Sequence, residues 1–385
     1  MKSTFVIDYK DKKTNARVGI LNTKSGSIET PFFMPVATKT AVKYISSKDL
    51  EEMKCKAVIS NTFILHLRPG EKTIKNLGGI RKFMAFKGIN VTDSGGFQMY
   101  SPSLYLKSDE EGVYFKDPFE KKTIFITPEK DMEIQLDLGS DIAMCLDTMP
   151  LLHHSKKDIN LAVDRTIKWA RRCKKHHDEL QKNIKSSKRQ LLFGITQGGI
   201  HEDLRKKSCE EMKKIDFDGF SIGGLALGET LQQEMKMVEI SNKILPENKP
   251  RYLMGAGNPV ELLEAISRGC DMFDSRFPTQ NARHGTLLTS KGKLRIFQAK
   301  YKLDKKPLDR NCNCFVCKNY SRAYIRYLLC QEEPLGMHLA TYHNLYYITN
   351  LMKQAREAIK KGKFLEFKNR IKKEYENADS NIRKP

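Results

Sequence analysis

Little in this sequence points to a membrane, a secreted scaffold or a disordered chain. A run of about 18 apolar residues, the length a bilayer core demands of a helix, does not occur. The opening residues Met1-Lys2-Ser3-Thr4-Phe5 reach Asp8 and Lys10 without the apolar stretch of a secretory leader. The nine cysteines are scattered, apart from three between Cys312 and Cys317, which is unlike the dense framework of a disulfide-stapled domain. Only 14 prolines and one tryptophan occur in 385 residues, and neither a low-complexity linker nor a fixed-period repeat interrupts the chain. These absences lead us to expect a soluble protein of a reducing, cytoplasmic compartment with no membrane partner.

What is present is enough apolar material for a large core, 39% of all residues, and a strong excess of positive charge. Lys and Arg number 68 against 46 Asp and Glu, a formal +22. A polyanionic partner is one reading, and a generally basic surface is the other. The stretch Lys156 to Arg189 holds twelve basic and four acidic residues, and Lys360, Lys361, Lys363, Lys368, Arg370, Lys372 and Lys373 crowd the end of the chain. Solvated helix faces account for both clusters more readily than dedicated RNA contacts do.

Short β-rich apolar runs recur at Phe32 to Thr38, Ala57 to Asn61, Ile89 to Asp93, Asp141 to Asp147, Leu191 to Gln197, Gly219 to Gly223, Arg251 to Gly255 and Asp271 to Asp274. Segments of helical period separate several of them: Leu161 to His177, Leu204 to Ile215, Thr230 to Leu245 and Pro259 to Arg268. Strand-then-helix repetition with apolar strands implies a parallel sheet buried on both faces. Eight units suggest an α/β fold of the (β/α)8 TIM-barrel type, with a doubly wound open sheet as the alternative. The polar or glycine strand ends favour the barrel, because there Thr38, Asn61, Asp93, Asp147, Gln197, Gly223, Gly255 and Asp274 would meet at the C-terminal mouth. We expect the barrel over residues 1–290, and over 291–385 a zinc-binding subdomain with C-terminal helices, the helical tail starting near Asn344.

Cys312-x-Cys314-x-x-Cys317 followed by His343 offers three thiolates and an imidazole, the ligand set of a closed structural zinc site with one ion per chain. His338 and Cys330 are alternative fourth ligands. In Asp93-Ser94-Gly95-Gly96-Phe97-Gln98 a carboxylate at a strand end precedes two glycines and an aromatic, which suits a planar heterocycle, though Asp93 could equally cap a helix. Gln197-Gly198-Gly199 and Gly223-Gly224-Leu225 repeat the theme of donors at strand ends, and Met254 offers a thioether for a ring or for the core. Asp147 and Asp274 bring further carboxylates to the mouth, for acid/base and nucleophilic work at a sugar-like centre or for ion pairs with Arg276 and Arg283.

Taken in order, Asp93 to Gln98, Phe193 to Gly199, Gly223 to Glu229, Tyr252 to Gly255, Phe273-Asp274 and the Cys/His site resemble the tRNA-guanine transglycosylase family from about residue 15 to 375. The resemblance implies a zinc-containing (β/α)8 barrel, usually homodimeric, that exchanges guanine in a tRNA anticodon for a 7-deazaguanine base. It casts Asp274 as the nucleophile on the ribose anomeric carbon and Asp93 as general acid/base. Asp93, Ser94, Gly95, Gly96, Asp147, Gln197, Gly224 and Leu225 would bind the base, sandwiched by Phe97 and Met254. Gly255, Ala256, Gly257, Asn258, Pro259, Val260 and Glu261, with Thr279, Gln280, Asn281, Ala282 and Arg283, would meet the RNA.

The sequence also departs from the family pattern. Bacterial members usually follow the Asp147 equivalent with Glu-Cys-Thr-Pro, whereas this chain reads Asp147-Thr148-Met149-Pro150, one residue shorter. Gln280 stands where Arg is common. Val42, Met149 and Leu227 occupy positions where users of the finished base queuine tend to have smaller residues, so the prequeuosine base, 7-aminomethyl-7-deazaguanine, is the expected substrate. The alternatives are queuine itself, an archaeal-type insertion of a 7-cyano base in the D-arm, and a non-catalytic tRNA-binding subunit.

Overall fold

The computed structural model describes residues 3–96, 101, 103–150 and 153–382. One eight-stranded parallel sheet dominates it: β1 (Phe32–Pro35), β2 (Ala57–Ser60), β3 (Ile89–Thr92), β4 (Ile142–Met144), β5 (Leu191–Thr196), β6 (Gly219–Ile222), β7 (Arg251–Leu253) and β8 (Met272–Ser275). Neighbours follow chain order from β2 to β8, and β8 then pairs with β1 from Met272 opposite Phe32 to Ser275 opposite Pro35. The ring closes between β1 and β2 through the Val36–Ile59 bridge, with the Ala37 N–H donating to the Ile59 carbonyl at 2.7 Å. Every residue of β1 to β7 is buried, as expected of strands covered by side chains inside and helices outside. The barrel predicted from the strand rhythm is the fold, and all eight strands lie within a residue of the apolar runs or inside them.

The helices agree in the same way. The segment Leu161 to His177 lies within Lys156–Leu180, started by the Ser155 side chain accepting from the Asp158 N–H. Glu202–Lys213, Leu231–Ile244 and Pro259–Ile266 follow β5, β6 and β7, the last two opened by capping boxes at Thr230/Gln233 and Asn258/Glu261. Three additions have no counterpart in the sequence reading. An antiparallel sheet of Phe5–Lys10, Arg17–Thr23 and Gly26–Thr30 precedes β1. A second, of Tyr105–Ser108, Val113–Lys116 and Thr123–Ile126, is inserted between β3 and its helix Pro128–Leu138. A hairpin of Thr286–Thr289 and Gly292–Arg295 follows the helix Phe277–Arg283 that leaves β8.

The expected helical tail starts earlier than Asn344. It runs as Pro334–Lys360, since Pro334 with its preset φ opens the first turn, where no N–H is needed. This helix packs against β1 and Phe277–Arg283, and the Arg356 guanidinium donates to the Pro31 carbonyl at 2.7 Å.

The N-terminal sheet is fastened to the barrel floor by one buried ion pair. The Arg17 guanidinium grips both Asp271 oxygens, at 2.9 and 2.5 Å, and also the carbonyls of Glu247 and Lys249. Both partners are almost solvent-free, so truncating one leaves the other charge buried and unpaired. Arg17→Met is therefore expected to cost about 3–5 kcal/mol in chemical denaturation. The same change at exposed Lys10, paired with Glu247, should cost less than about 1 kcal/mol. Equal effects at the two positions would contradict this account.

Candidate functional site: a carboxylate-lined barrel mouth

The strand ends converge on a cavity of about 1010 Å³. Asp93, Ser94, Asp147, Gly224, Leu225, Met254, Gly255 and Asp274 line it, together with Gly257, Asn258, Val260, Glu261, Gln280 and Asn281. Phe97 and Gln98 lie outside the described residues. Ala256, Thr279 and Ala282 are buried in the rim, and Arg283 donates to the Thr279 carbonyl at 2.9 Å. Of the three positions singled out for pocket size, Met149 and Leu227 border the cavity, whereas Val42 is packed in the core.

Each carboxylate is held by neutral donors. Asp93 follows β3 and accepts from the Asn61 amide at 2.7 Å and from the N–H groups of Thr62 and Gly95 at 3.0 and 3.1 Å. Burial pushes it up to about 6, with the nearby Asp274 charge adding to the rise. Asp274 accepts from the Tyr252 hydroxyl at 2.5 Å and the Gly255 N–H at 3.0 Å, and burial raises it while the Tyr252 bond opposes. Asp147 accepts from Ser94 at 2.9 Å and from the Gln197 amide at 2.6 Å, and burial again pushes it up. Two glycines permit this crowding: a Cβ on Gly96 would collide with the Asp147 carboxylate, and one on Gly224, at φ +69°, with the Gln197 side-chain oxygen. That Gln197 oxygen is buried and has no hydrogen-bond partner among the described residues.

Asn61 and Tyr252 are functional neighbours to which the sequence reading gave no role. Asn61 was visible as a polar strand end, but nothing in the sequence says that its amide reaches a carboxylate on the next strand. Tyr252 carries the weaker signal of a lone hydroxyl inside an apolar strand. The cavity wall also carries carboxyls whose setting only the structure shows: half-buried Glu261, expected at the RNA-binding rim, accepts from the Gly257 and Asn258 N–H groups, and burial beside Glu261 and Glu229 pushes the unforeseen Glu234 up.

Cys312, Cys314, Cys317 and His343 come together with their ligand atoms within 4.8 Å of one another, and such a group could hold a metal ion. His343 Nδ1 lies 3.8, 3.5 and 3.4 Å from the three sulfurs, close to the ~3.6 Å S···N edge that a zinc tetrahedron would require. Its Nε2 is 2.8 Å from the Leu288 carbonyl, which fixes the proton there and leaves Nδ1 for a metal. Of the alternative ligands, Cys330 is exposed and His338 bonds the Tyr44 carbonyl.

Fold and site together define a barrel enzyme with carboxylate chemistry at its mouth and a Cys3His group beside it. A family model described as queuine tRNA-ribosyltransferase matches residues 11–377. Curated relatives carrying that name include one from Halothermothrix orenii, 44% identical over 380 residues, with 99% of this chain and all of the relative covered. One from a Thermoanaerobacter species is 48% identical over 366 residues (95% and 96% covered), and one from Fusobacterium nucleatum 46% over 378 (98% and 100%). The chain belongs to the queuine tRNA-ribosyltransferase family.

The metal group generates its own test. The wild-type protein should carry about one metal ion per chain, and Cys314→Ala with Cys317→Ala should lose it and melt lower. Full metal content and unchanged melting in the double variant would show that these residues are not its ligands.

Proposed function

We propose that this chain removes guanine from the wobble position of tRNAs whose anticodons begin with G-U, those for Asp, Asn, His and Tyr, and puts the prequeuosine base in its place. The observation that carries the reading is the pair Asp93 and Asp274 in one cavity, both half-buried and each oriented by its own donors.

Asp274 attacks the ribose anomeric carbon. The bond from that carbon to guanine breaks, a carboxylate ester to the sugar forms, and Asp93 delivers its proton to the departing base. The incoming 7-deazaguanine then gives a proton to Asp93 and bonds to the same carbon, releasing Asp274, so the configuration is retained. A carboxyl pushed up to about 6 is matched to such two-way proton traffic at neutral pH. Asp147, Gln197 and the Gly224 and Leu225 backbone read the base, with Met254 stacked on it. The orphaned Gln197 oxygen suits a base donor. The rim from Gly255 to Glu261 and from Thr279 to Arg283 receives the RNA, in a cytoplasmic homodimer whose basic surface draws tRNA.

The Cys3His group holds zinc, one ion per chain, with all four positions filled by protein, so the metal braces residues 291–385 as a subdomain and activates no water.

Asp274→Asn should bind tRNA yet form no denaturation-resistant RNA adduct and exchange no guanine. Mass spectrometry of wild-type enzyme trapped with tRNA should place a ribose on the peptide containing Asp274. A ribose on the Asp93 peptide, or an active Asp274→Asn protein, would reverse the roles.

Met149 and Leu227 line the cavity, and with these larger side chains there the prequeuosine base should outcompete queuine, while Leu227→Gly should shift the preference toward queuine. Equal use of both bases by the wild-type protein would rule out this discrimination.

A further inference from the structure

Arg205, on the helix Glu202–Lys213, is completely buried behind the ends of β5 and β6. Its hydrogen bonds go to backbone oxygens: Nη1 donates to Thr196 at 3.2 Å and Gly223 at 3.0 Å, and Nη2 to Gly199 and Gly223, both at 3.0 Å. Nε has no partner among the described residues. Burial pushes the guanidinium down to about 10, so it stays charged at neutral pH. A buried cation whose hydrogen bonds go to carbonyl oxygens, with the Glu229 carboxylate easing its charge only through space, is a costly way to join two loops, since neutral donors such as Asn or Gln could span them without desolvating a charge. Its placement has a chemical consequence, because the doubly gripped Gly223 carbonyl belongs to the same peptide as the Gly224 N–H, and Gly224 lines the cavity.

We propose that Arg205 is a positioning residue for base exchange: by drawing on the Gly223 oxygen it polarises the Gly223–Gly224 peptide, so that the Gly224 N–H donates a charge-strengthened hydrogen bond to the ring carbonyl of the base. This rests on the reading that the Gly224 backbone binds the base. Hydrogen bonds in series strengthen one another, most of all when a charge stands at one end. While the bond to the sugar breaks, electron density moves onto the purine and its ring oxygen until the proton arrives, so the strengthened donor acts where the demand is greatest. The same guanidinium holds the Thr196 carbonyl, fixing the strand end that presents Gln197.

The test compares two competing bases, 7-deazaguanine and 2-amino-7-deazapurine, which lacks the ring oxygen. In the wild-type enzyme 7-deazaguanine should be the stronger inhibitor of exchange. In Arg205→Gln that preference should shrink about tenfold, with the oxygen-free base little affected, and Arg205→Lys should restore part of it. Equal weakening of both bases would make Arg205 a brace only and overturn the inference while leaving the base-reading role of Gly224 intact. No preference in the wild type would overturn both. Should the variants fail to fold, the wild-type protein still decides. Labelling glycine carbonyl carbon and amide nitrogen selects only the Gly-Gly pairs 78–79, 95–96, 198–199 and 223–224. The Gly224 amide proton should move downfield with 7-deazaguanine and not with the oxygen-free base, and identical shifts would overturn the proposal.

Discussion

Three carboxyl groups drawn into one barrel mouth, Asp147 buried and Asp93 and Asp274 half-buried, set the terms for everything around them. A carboxylate in such a place is tolerated only when donors replace its hydration, and here those donors are mostly neutral. Asn61 and the Thr62 N–H come from the end of β2 to serve Asp93 on β3, and Ser94 and Gln197 come from the ends of β3 and β5 to serve Asp147. Tyr252 and Gly255, at β7, serve Asp274 on β8. Without a strong counter-charge the groups stay raised, which suits proton transfer and nucleophilic attack better than a tight ion pair would.

Because each carboxylate is satisfied from other strands, the site exists only while the ring is closed. Closure depends on the β8–β1 ladder and the short contact of Val36 with Ile59, and the floor is locked by Arg17 and Asp271. The outer elements reach the same place. Asn344, one residue after His343 of the Cys3His group, donates to the Pro278 and Thr286 carbonyls and accepts from the Leu288 N–H. The Cys3His cluster is thereby stitched to the helix that leaves β8 just beyond Asp274. An order-giving ion in that cluster would stiffen the helix and, through it, the strand that carries Asp274.

Much of this was legible in the chain itself. The barrel followed from eight apolar runs ending in polar residues, since strands buried on both faces carry an unbroken apolar signal and short helices announce their starts with caps. The Cys3His grouping, which could hold a metal ion, was foreseen from spacing, since three cysteines within six residues leave few other fates. The antiparallel sheet inserted after β3 was missed because strands such as Tyr105–Ser108 and Thr123–Ile126 are short, half exposed and placed where the repeat allowed only loops. The helix bearing His343 was begun too late because its first turns, Pro334 to His338, lack a clear apolar stripe.

Alone, the sequence determined which residue types stand at the strand ends, and so the chemistry available: carboxylates, amides, a thioether and a thiolate cluster. Only the tertiary structure decided which of them touch. That Asn61 meets Asp93, that Tyr252 meets Asp274 and that Arg205 grips the carbonyls of Gly199 and Gly223 are contacts between different strands and helices. The physical reason is that period and composition report the local face a residue occupies, whereas donor–acceptor pairing and desolvation depend on closing the ring of strands, which no local pattern encodes.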